Sequence, residues 1–411
     1  MSELIKNYTF PIINTIDDVL PAISSREEFK INEKPGYKIV DYMVSYNDTF
    51  PSLISPEGTE LTGQELEYAK LRRECRGLIF CSITGNLLRR AYHKFFNLGE
   101  KAEIFIETLS LSHPHHVLEK LDGSLVSPFS VNEKLIWGTM AGETRFSEMI
   151  ENFIKDKPVY TQFAQDHVNA GMTPIFEYCS RKNRIVVDYP VDRLVLTGMR
   201  INSSGQYIPY ENLCAITDGY AAMTGEKIEV IKAYSNFNDI QNLVDHTKAL
   251  VGEEGYIARY SNGYMFKIKG DDYVLKHKTK ESLLFEKNVL ELIFTKQVDD
   301  MIPLLDPTDT ERLLKYHDLV WAAALSYADK IQKIYNEISV LAVDNKDFAV
   351  NYVNKLHKSY AKFLFTMNKP SGDNAKTVVV NYILDNLNSQ TVVNGLREII
   401  GPVTWEEIYF T

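Results

Sequence analysis

The sequence predicts an α+β fold, a domain built on antiparallel sheets followed by an all-α C-terminal domain. Three observations carry this reading. From residue 76 to residue 268, short apolar and β-branched runs recur between turn residues. Helical patterns are interleaved with them, but without the regular alternation that a parallel sheet requires. After about residue 281 the strand-like runs stop, and apolar residues recur at helical spacing.

Taken in order, the first 70 residues mix short apolar runs with Pro and Gly and read as irregular α/β. Gly77-Leu78-Ile79-Phe80-Cys81, a turn at Gly85-Asn86 and a run from Leu87 to Tyr92 suit two strands joined by a tight connection. Further strands are expected at 125–129, 135–139, 175–178, 185–187, 194–198, 255–260 and 264–268. Met149, Ile150, Phe153 and Ile154 mark one helix; Ile240, Leu243 and Val244 mark another, capped by Asn238-Asp239. In the tail, Leu325, Ala328, Ile331, Ile334, Tyr335, Ile338 and Leu341 share a helical spacing, as do Val353, Leu356, Tyr360, Phe363 and Leu364. Lys369-Pro370-Ser371-Gly372-Asp373 is expected as a loop. The partition expected is residues 1–280, with an N-terminal α/β subregion, and residues 281–411.

A length of 411 residues allows two or three cores. The net charge of −10 argues at first against a nucleic-acid partner, but phosphate is held by local cationic clusters rather than by global charge. Four scattered cysteines without a CxxC pair read as reduced, mostly buried thiols. The N-terminal Met1-Ser2-Glu3-Leu4-Ile5-Lys6 lacks a signal-peptide core, and no apolar run is long enough to span a bilayer, so an intracellular, soluble protein is expected.

Chemistry concentrates in three places. Glu119-Lys120-Leu121-Asp122-Gly123-Ser124 puts a lysine at the mouth of a strand, before a glycine that lets a ligand approach the backbone. A solvated Lys-Asp turn is the alternative. Glu177 in Phe176-Glu177-Tyr178 and Glu254 before Gly255 place carboxylates in or beside apolar strands, where they need a lysine, a metal or a hydroxyl. Edge positions facing water are the plainer reading. In Phe266-Lys267-Ile268-Lys269, alternation sends both lysines to one face, which calls for an anion; Lys276, Lys278 and Lys280 follow. His113, His115 and His116 suit a Pro-containing loop better than a metal site.

The order Lys-x-Asp-Gly, strand Glu, Glu-Gly, Lys-x-Lys is similar to that of the covalent nucleotidyltransferases, which comprise ATP-dependent DNA ligases, RNA ligases and mRNA capping enzymes. Finer segments resemble the phage-type RNA ligase 1 family: Glu74-Cys75-Arg76-Gly77, Lys94-Phe95-Phe96-Asn97, Asp122-Gly123-Ser124-Leu125-Val126, Asn183-Arg184-Ile185-Val186, Arg200 with Gly205-Gln206-Tyr207-Ile208, and Tyr273. The likeness covers roughly residues 35–285. One departure stands out: Gly138-Thr139-Met140-Ala141-Gly142 has Met140 where a basic residue is expected.

The resemblance implies an ATP-grasp-like ligase core and three steps. Lys120 attacks the α-phosphorus of ATP, forming phosphoramide-linked AMP and releasing pyrophosphate; the AMP passes to an RNA 5′-phosphate as a 5′–5′ pyrophosphate; the 3′-hydroxyl of another end displaces AMP. It implies nucleotide contacts from Arg76, Lys94, Glu119, Lys120, Glu177, Glu254, Lys267 and Lys269, with Lys267 and Lys269 catalytic beside Lys120. Asp122 and Glu254 would hold Mg²⁺, or Mn²⁺ in its place. Neighbouring cations would favour neutral Lys120. A monomer acting in the cytoplasm, of a host cell if phage-encoded, on RNA ends such as cleaved tRNA is expected. Lys355, Lys358, Lys362 and Lys369, interleaved with Tyr352, Tyr360 and Phe363, suit a grip on folded RNA, but a solvated basic face is the favoured reading. A DNA ligase or capping guanylyltransferase is the rival enzyme, although both usually carry strands after Lys-x-Lys. An inactive nucleic-acid-binding module is the rival from another class.

Overall fold

The computed structural model describes residues 1–409 apart from Asn47, Asn236, Asn238 and residues 370–372. It divides into two compact units, Met1–Val274 and Leu275–Thr411.

The first unit contains three four-stranded antiparallel sheets. Strands β1 (Phe29–Lys34), β2 (Tyr37–Tyr42), β3 (Leu78–Cys81) and β4 (Leu87–Arg89) lie side by side in that order. The second sheet has the order β10 (Ala233–Tyr234), β5 (His115–Lys120), β11 (Gly255–Tyr260), β12 (Met265–Lys269). The third has the order β7 (Lys134–Gly138), β6 (Ser124–Val131), β8 (Met172–Cys179), β9 (Arg193–Ile201). Helices Arg145–Ile154, Pro158–Asn169 and Tyr210–Thr224 contribute to one core with the third sheet, built around Val126, Phe163, Phe176 and Leu196. The first two sheets share the largest core, and Tyr37, Ile79, Phe129 and Ile136 join the first sheet to the third. Asp239 caps Ile240–Lys248 by accepting from Asn242 N–H at 2.8 Å; its expected companion Asn238 lies outside the described residues.

One expected strand is absent: 185–187 is irregular, because the N–H groups of Val186 and Val187 are drawn to a side-chain carboxylate rather than to a ladder. The strand expected to run from Leu87 to Tyr92 stops at Arg89. Of the four cysteines, all free, Cys75 and Cys179 are buried while Cys81 and Cys214 are partly exposed.

The second unit is all-helical among the described residues. Its main helix, Pro307–Leu341, buries Leu313, Tyr316, Val320, Ala324, Tyr327, Ile331 and Ile338, and leaves Leu325 and Leu341 exposed. The pattern through 353–364 belongs to broken short turns before Ala361–Met367 rather than to one helix. Phe363 there is core, not RNA-facing surface, and Leu356 is exposed. The loop expected at 369–373 falls largely on undescribed residues. No helix among the described residues is long and apolar enough to cross a membrane.

Candidate active site

The site forms where three strands of the second sheet close on each other. Lys120 of β5 pairs with Gly255 of β11, and Gly255 pairs with Lys269 of β12. Gly255 has φ +146°, and a Cβ there would come 2.1 Å from the Ile268 carbonyl oxygen. Only glycine permits this approach. It holds the preceding Glu254 between two lysines: Oε2 is 2.7 Å from Lys120 Nζ, and Oε1 is 3.1 Å from Lys269 Nζ. Glu254 is buried, so the two cations offset the cost of desolvating its charge.

Lys267 and Lys269 do share a face, but their surroundings differ. Lys267 has no ion pair among the described residues; its Nζ lies 5.5 Å from the centroid of the Phe95 ring. Burial, then the charges of Lys120, Lys94, Lys269 and Arg76, bring its pKa down to about 7. Lys120, on which the same cation crowding was expected to act, lies against Glu254.

A cavity of about 290 Å³ opens in front of Lys120, lined by Arg76, Phe95, Met140, Glu177 and Lys267 among others. Arg76 has no side-chain hydrogen bond or ion pair among the described residues. Glu177 on β8 faces the same space. Burial raises its carboxyl to about 8; the charge of Lys120 opposes this rise, and Glu254 adds to it. A cavity holding two unpaired cations, an amine and a reluctantly ionised carboxyl is suited to a polyphosphate.

A domain match comes from the T4-type family model whose description reads RNA ligase; it covers residues 74–284, half of the chain. The chain belongs to the RNA ligase family. Among curated relatives, a Thermovibrio ammonificans protein named as an RNA ligase is 29% identical over 195 residues, 47% of each chain. A protein of Autographa californica nuclear polyhedrosis virus, named as a bifunctional polynucleotide kinase/RNA ligase, is 26% identical over 50% of this chain and 31% of its own. The chain thus spans about half the length, or less, of these relatives. Among solved structures, an archaeal ATP-dependent RNA ligase gives a TM-score of 0.42 at 15% identity, covering 68% of this chain and 67% of that one. The Naegleria gruberi RNA ligase with PPi gives 0.34 at 15% identity, covering 40% and 52%.

Other expected residues of this RNA ligase-family chain stand apart from the cavity mouth. Asp122 is buried and its carboxylate is already engaged: Oδ2 accepts from the N–H groups of Val186 and Val187, both at 2.7 Å, and Oδ1 from Tyr273 OH at 2.7 Å. Lys94 donates to Tyr42 OH at 3.0 Å among the rings of Tyr42, Phe50 and Phe96, off the cavity wall. Glu119 borders the cavity, but strand alternation sends its side chain to the face opposite Lys120. Its Oε2 is buried without a partner, and burial raises its pKa. His115 and His116 open β5, with His116 Nε2 2.7 Å from Glu211, and no metal-binding group of three His, Cys, Asp or Glu exists among the described residues. Tyr92, Thr197, Ile231 and Ile257 complete the walls. No spacing in the sequence announces them.

Proposed function

We propose that the protein is an ATP-dependent RNA ligase that joins 5′-phosphate and 3′-hydroxyl ends through a lysyl-AMP intermediate on an ATP-grasp-like core. The observation that carries this is the placement of Lys120 Nζ beside a cavity that also holds Arg76 and Lys267, two cations with no carboxylate partner among the described residues. In this reading Lys120 attacks the α-phosphorus, while Arg76, Lys267 and Lys269 neutralise the phosphates, which is most of what phosphoryl transfer asks of a protein. Glu177 meets the ribose or assists the metal. The Glu119 backbone borders the nucleotide, and Lys94 reinforces the local positive field.

All-oxygen donors suit Mg²⁺ or Mn²⁺. Glu254 would hold such an ion by giving up one of its two lysines, and Asp122, whose oxygens are taken by Tyr273 and the 186–187 amides, would take part through a bound water. The ion would supply charge neutralisation on the phosphates.

A DNA ligase or capping enzyme remains the second reading, and the all-helical region after β12 speaks against it. For the substrate, the family resemblance favours cleaved tRNA repaired during phage infection of a cell, with a monomer acting in the cytoplasm. The test is incubation with Mg²⁺ and ATP or GTP labelled at the α-phosphate, followed by a denaturing gel. A band with ATP alone is expected. A band with GTP would move the reading to capping, and no band would sink it.

The depressed Lys267 gives a separate expectation. Its ammonium lacks an anion, and a phosphate beside it would favour protonation, so ATP binding at pH 8 should take up a substantial fraction of a proton. Calorimetry in buffers of different ionisation enthalpy measures this, and Lys267→Arg should remove it. The same shift affects stability. The folded pKa lies below the unfolded one, so the unfolded state binds more protons between about pH 7 and 10, and stability rises across that window.

A further inference from the structure

Arg89 is a fully buried arginine on β4 with no carboxylate partner among the described residues. Its guanidinium binds backbone instead. Nη1 donates to the carbonyl oxygens of Gly138 at 3.2 Å and Thr139 at 2.7 Å, and Nη2 donates to that of Gly77 at 2.8 Å. The group lies 5.3 Å from the centroid of the Phe129 ring.

These three carbonyls sit behind the two bends that deliver side chains to the cavity. Gly77 follows Arg76. Thr139-Met140-Ala141-Gly142 is a tight turn, closed by mutual Thr139–Gly142 backbone bonds of 3.0 Å, and it presents Met140. The bends touch. Gly77 has φ +74°, and a Cβ there would come 2.7 Å from Met140 O and 3.2 Å from Arg89 Nη2. Tyr37 adds a second brace, its hydroxyl accepting from Glu143 N–H at 3.1 Å.

Packing alone does not call for an arginine here. Tyr37, Ile39, Ile79 and Phe129 already join the two sheets through apolar contact, and a leucine would add to that without burying a charge. Burial lowers the Arg89 pKa to about 9, against the opposing charges of Tyr37 and Asp41. What a guanidinium provides is a rigid fork that fixes several acceptors relative to one another.

We propose that Arg89 is a positioning residue: by clamping the carbonyls of Gly77, Gly138 and Thr139 it sets Arg76 and Met140 in the wall of the nucleotide cavity. This rests on the reading of that cavity as the ATP site. Arg89 does not touch the nucleotide; its effect is transmitted through Arg76.

The test is a cycle of ATP titrations by calorimetry, with every protein carrying Lys120→Ala so that no chemistry follows binding. Arg89→Met and Arg76→Ala should each weaken ATP binding about tenfold, and the pair together no more than twofold beyond Arg76→Ala alone. Equal weakening by Arg89→Met in both backgrounds, or none in either, overturns the proposal. If Arg89→Met does not fold, Arg89→Lys keeps the charge, loses the fork, and should show the same coupling with a smaller loss. Amide hydrogen exchange judges the clamp even if the protein binds no ATP, an outcome that would sink the nucleotide reading alone. Arg89→Lys should accelerate exchange first at Gly77 and at Thr139 and Gly142; uniform acceleration or none would refute the clamp.

Discussion

Replacing Lys120 with alanine is expected to abolish transfer of label from α-labelled ATP to the protein while leaving the fold intact. The loss should be complete because the amine is the bond-forming atom, not an aid to it. The fold should survive because the ion pair is not the only partner of Glu254. Its other oxygen remains 3.1 Å from Lys269 Nζ, so the buried carboxylate is not orphaned. The Lys120 side chain borders an open cavity, so its truncation enlarges that space rather than hollowing a packed core. Lys120→Arg should be equally inactive, since a guanidinium stays protonated and is a poor nucleophile. The measurement is labelling beside thermal unfolding. Label that persists in a folded Lys120→Ala protein would place the nucleophile elsewhere; lost label with a collapsed fold would show Lys120 to be structural.

The second large effect should come from Glu74→Gln, whose carboxylate bonds Arg90 and Arg200 rather than residues that line the cavity. Glu74 is buried, 3.0 Å from Arg90 Nε and 2.9 Å from Arg200 Nη1, while Arg200 Nη2 donates to its other oxygen at 3.0 Å. Those arginines in turn hold backbone far apart in the chain: Arg90 binds the carbonyls of Pro11 and Asn202, and Arg200 those of Ala91 and Gly205. Glutamine would leave two buried guanidinium groups without a counter-charge. Removing one member of a buried ion pair costs about 3–5 kcal/mol, so the melting temperature should fall by roughly 10 °C. The sign with pH follows. Burial alone would raise this carboxyl, but Arg200 and Arg90 hold it well below the usual carboxylate range. Its contribution is therefore fully present above about pH 4 and is lost progressively as pH falls from there through that depressed value. A melting temperature within 2 °C of the parent, or an equal deficit at pH 2, would contradict this account.

Charge and spacing carry a great deal here. Lys120, Glu254, Lys267 and Lys269 are ordinary residues taken singly, yet their order along the chain led to one place, because strand alternation is a local rule that survives folding. The change from strands to helices was readable for the same reason, periodicity being local, although it comes with helix Asp271–Leu283, ahead of the expected residue 281.

What tertiary structure decided is which charge meets which. Nothing in the spacing of Asp122 says that Val186, Val187 and Tyr273 occupy its oxygens, and that engagement is why residues 185–187 are not a strand. Nor does the sequence say that Lys120 receives a carboxylate while Lys267 goes without one. Arg89, Arg90 and Arg200 read alike as cations on strand-like runs, and only the fold makes one a clamp on carbonyls and the other two the partners of Glu74. The sequence by itself determined the class of fold and the candidate residues that meet around Lys120, because periodicity and order are properties of neighbours along the chain. The pairing of those residues was settled by the tertiary structure, because electrostatic energy depends on distances of 3–4 Å between groups that may be a hundred residues apart in the chain.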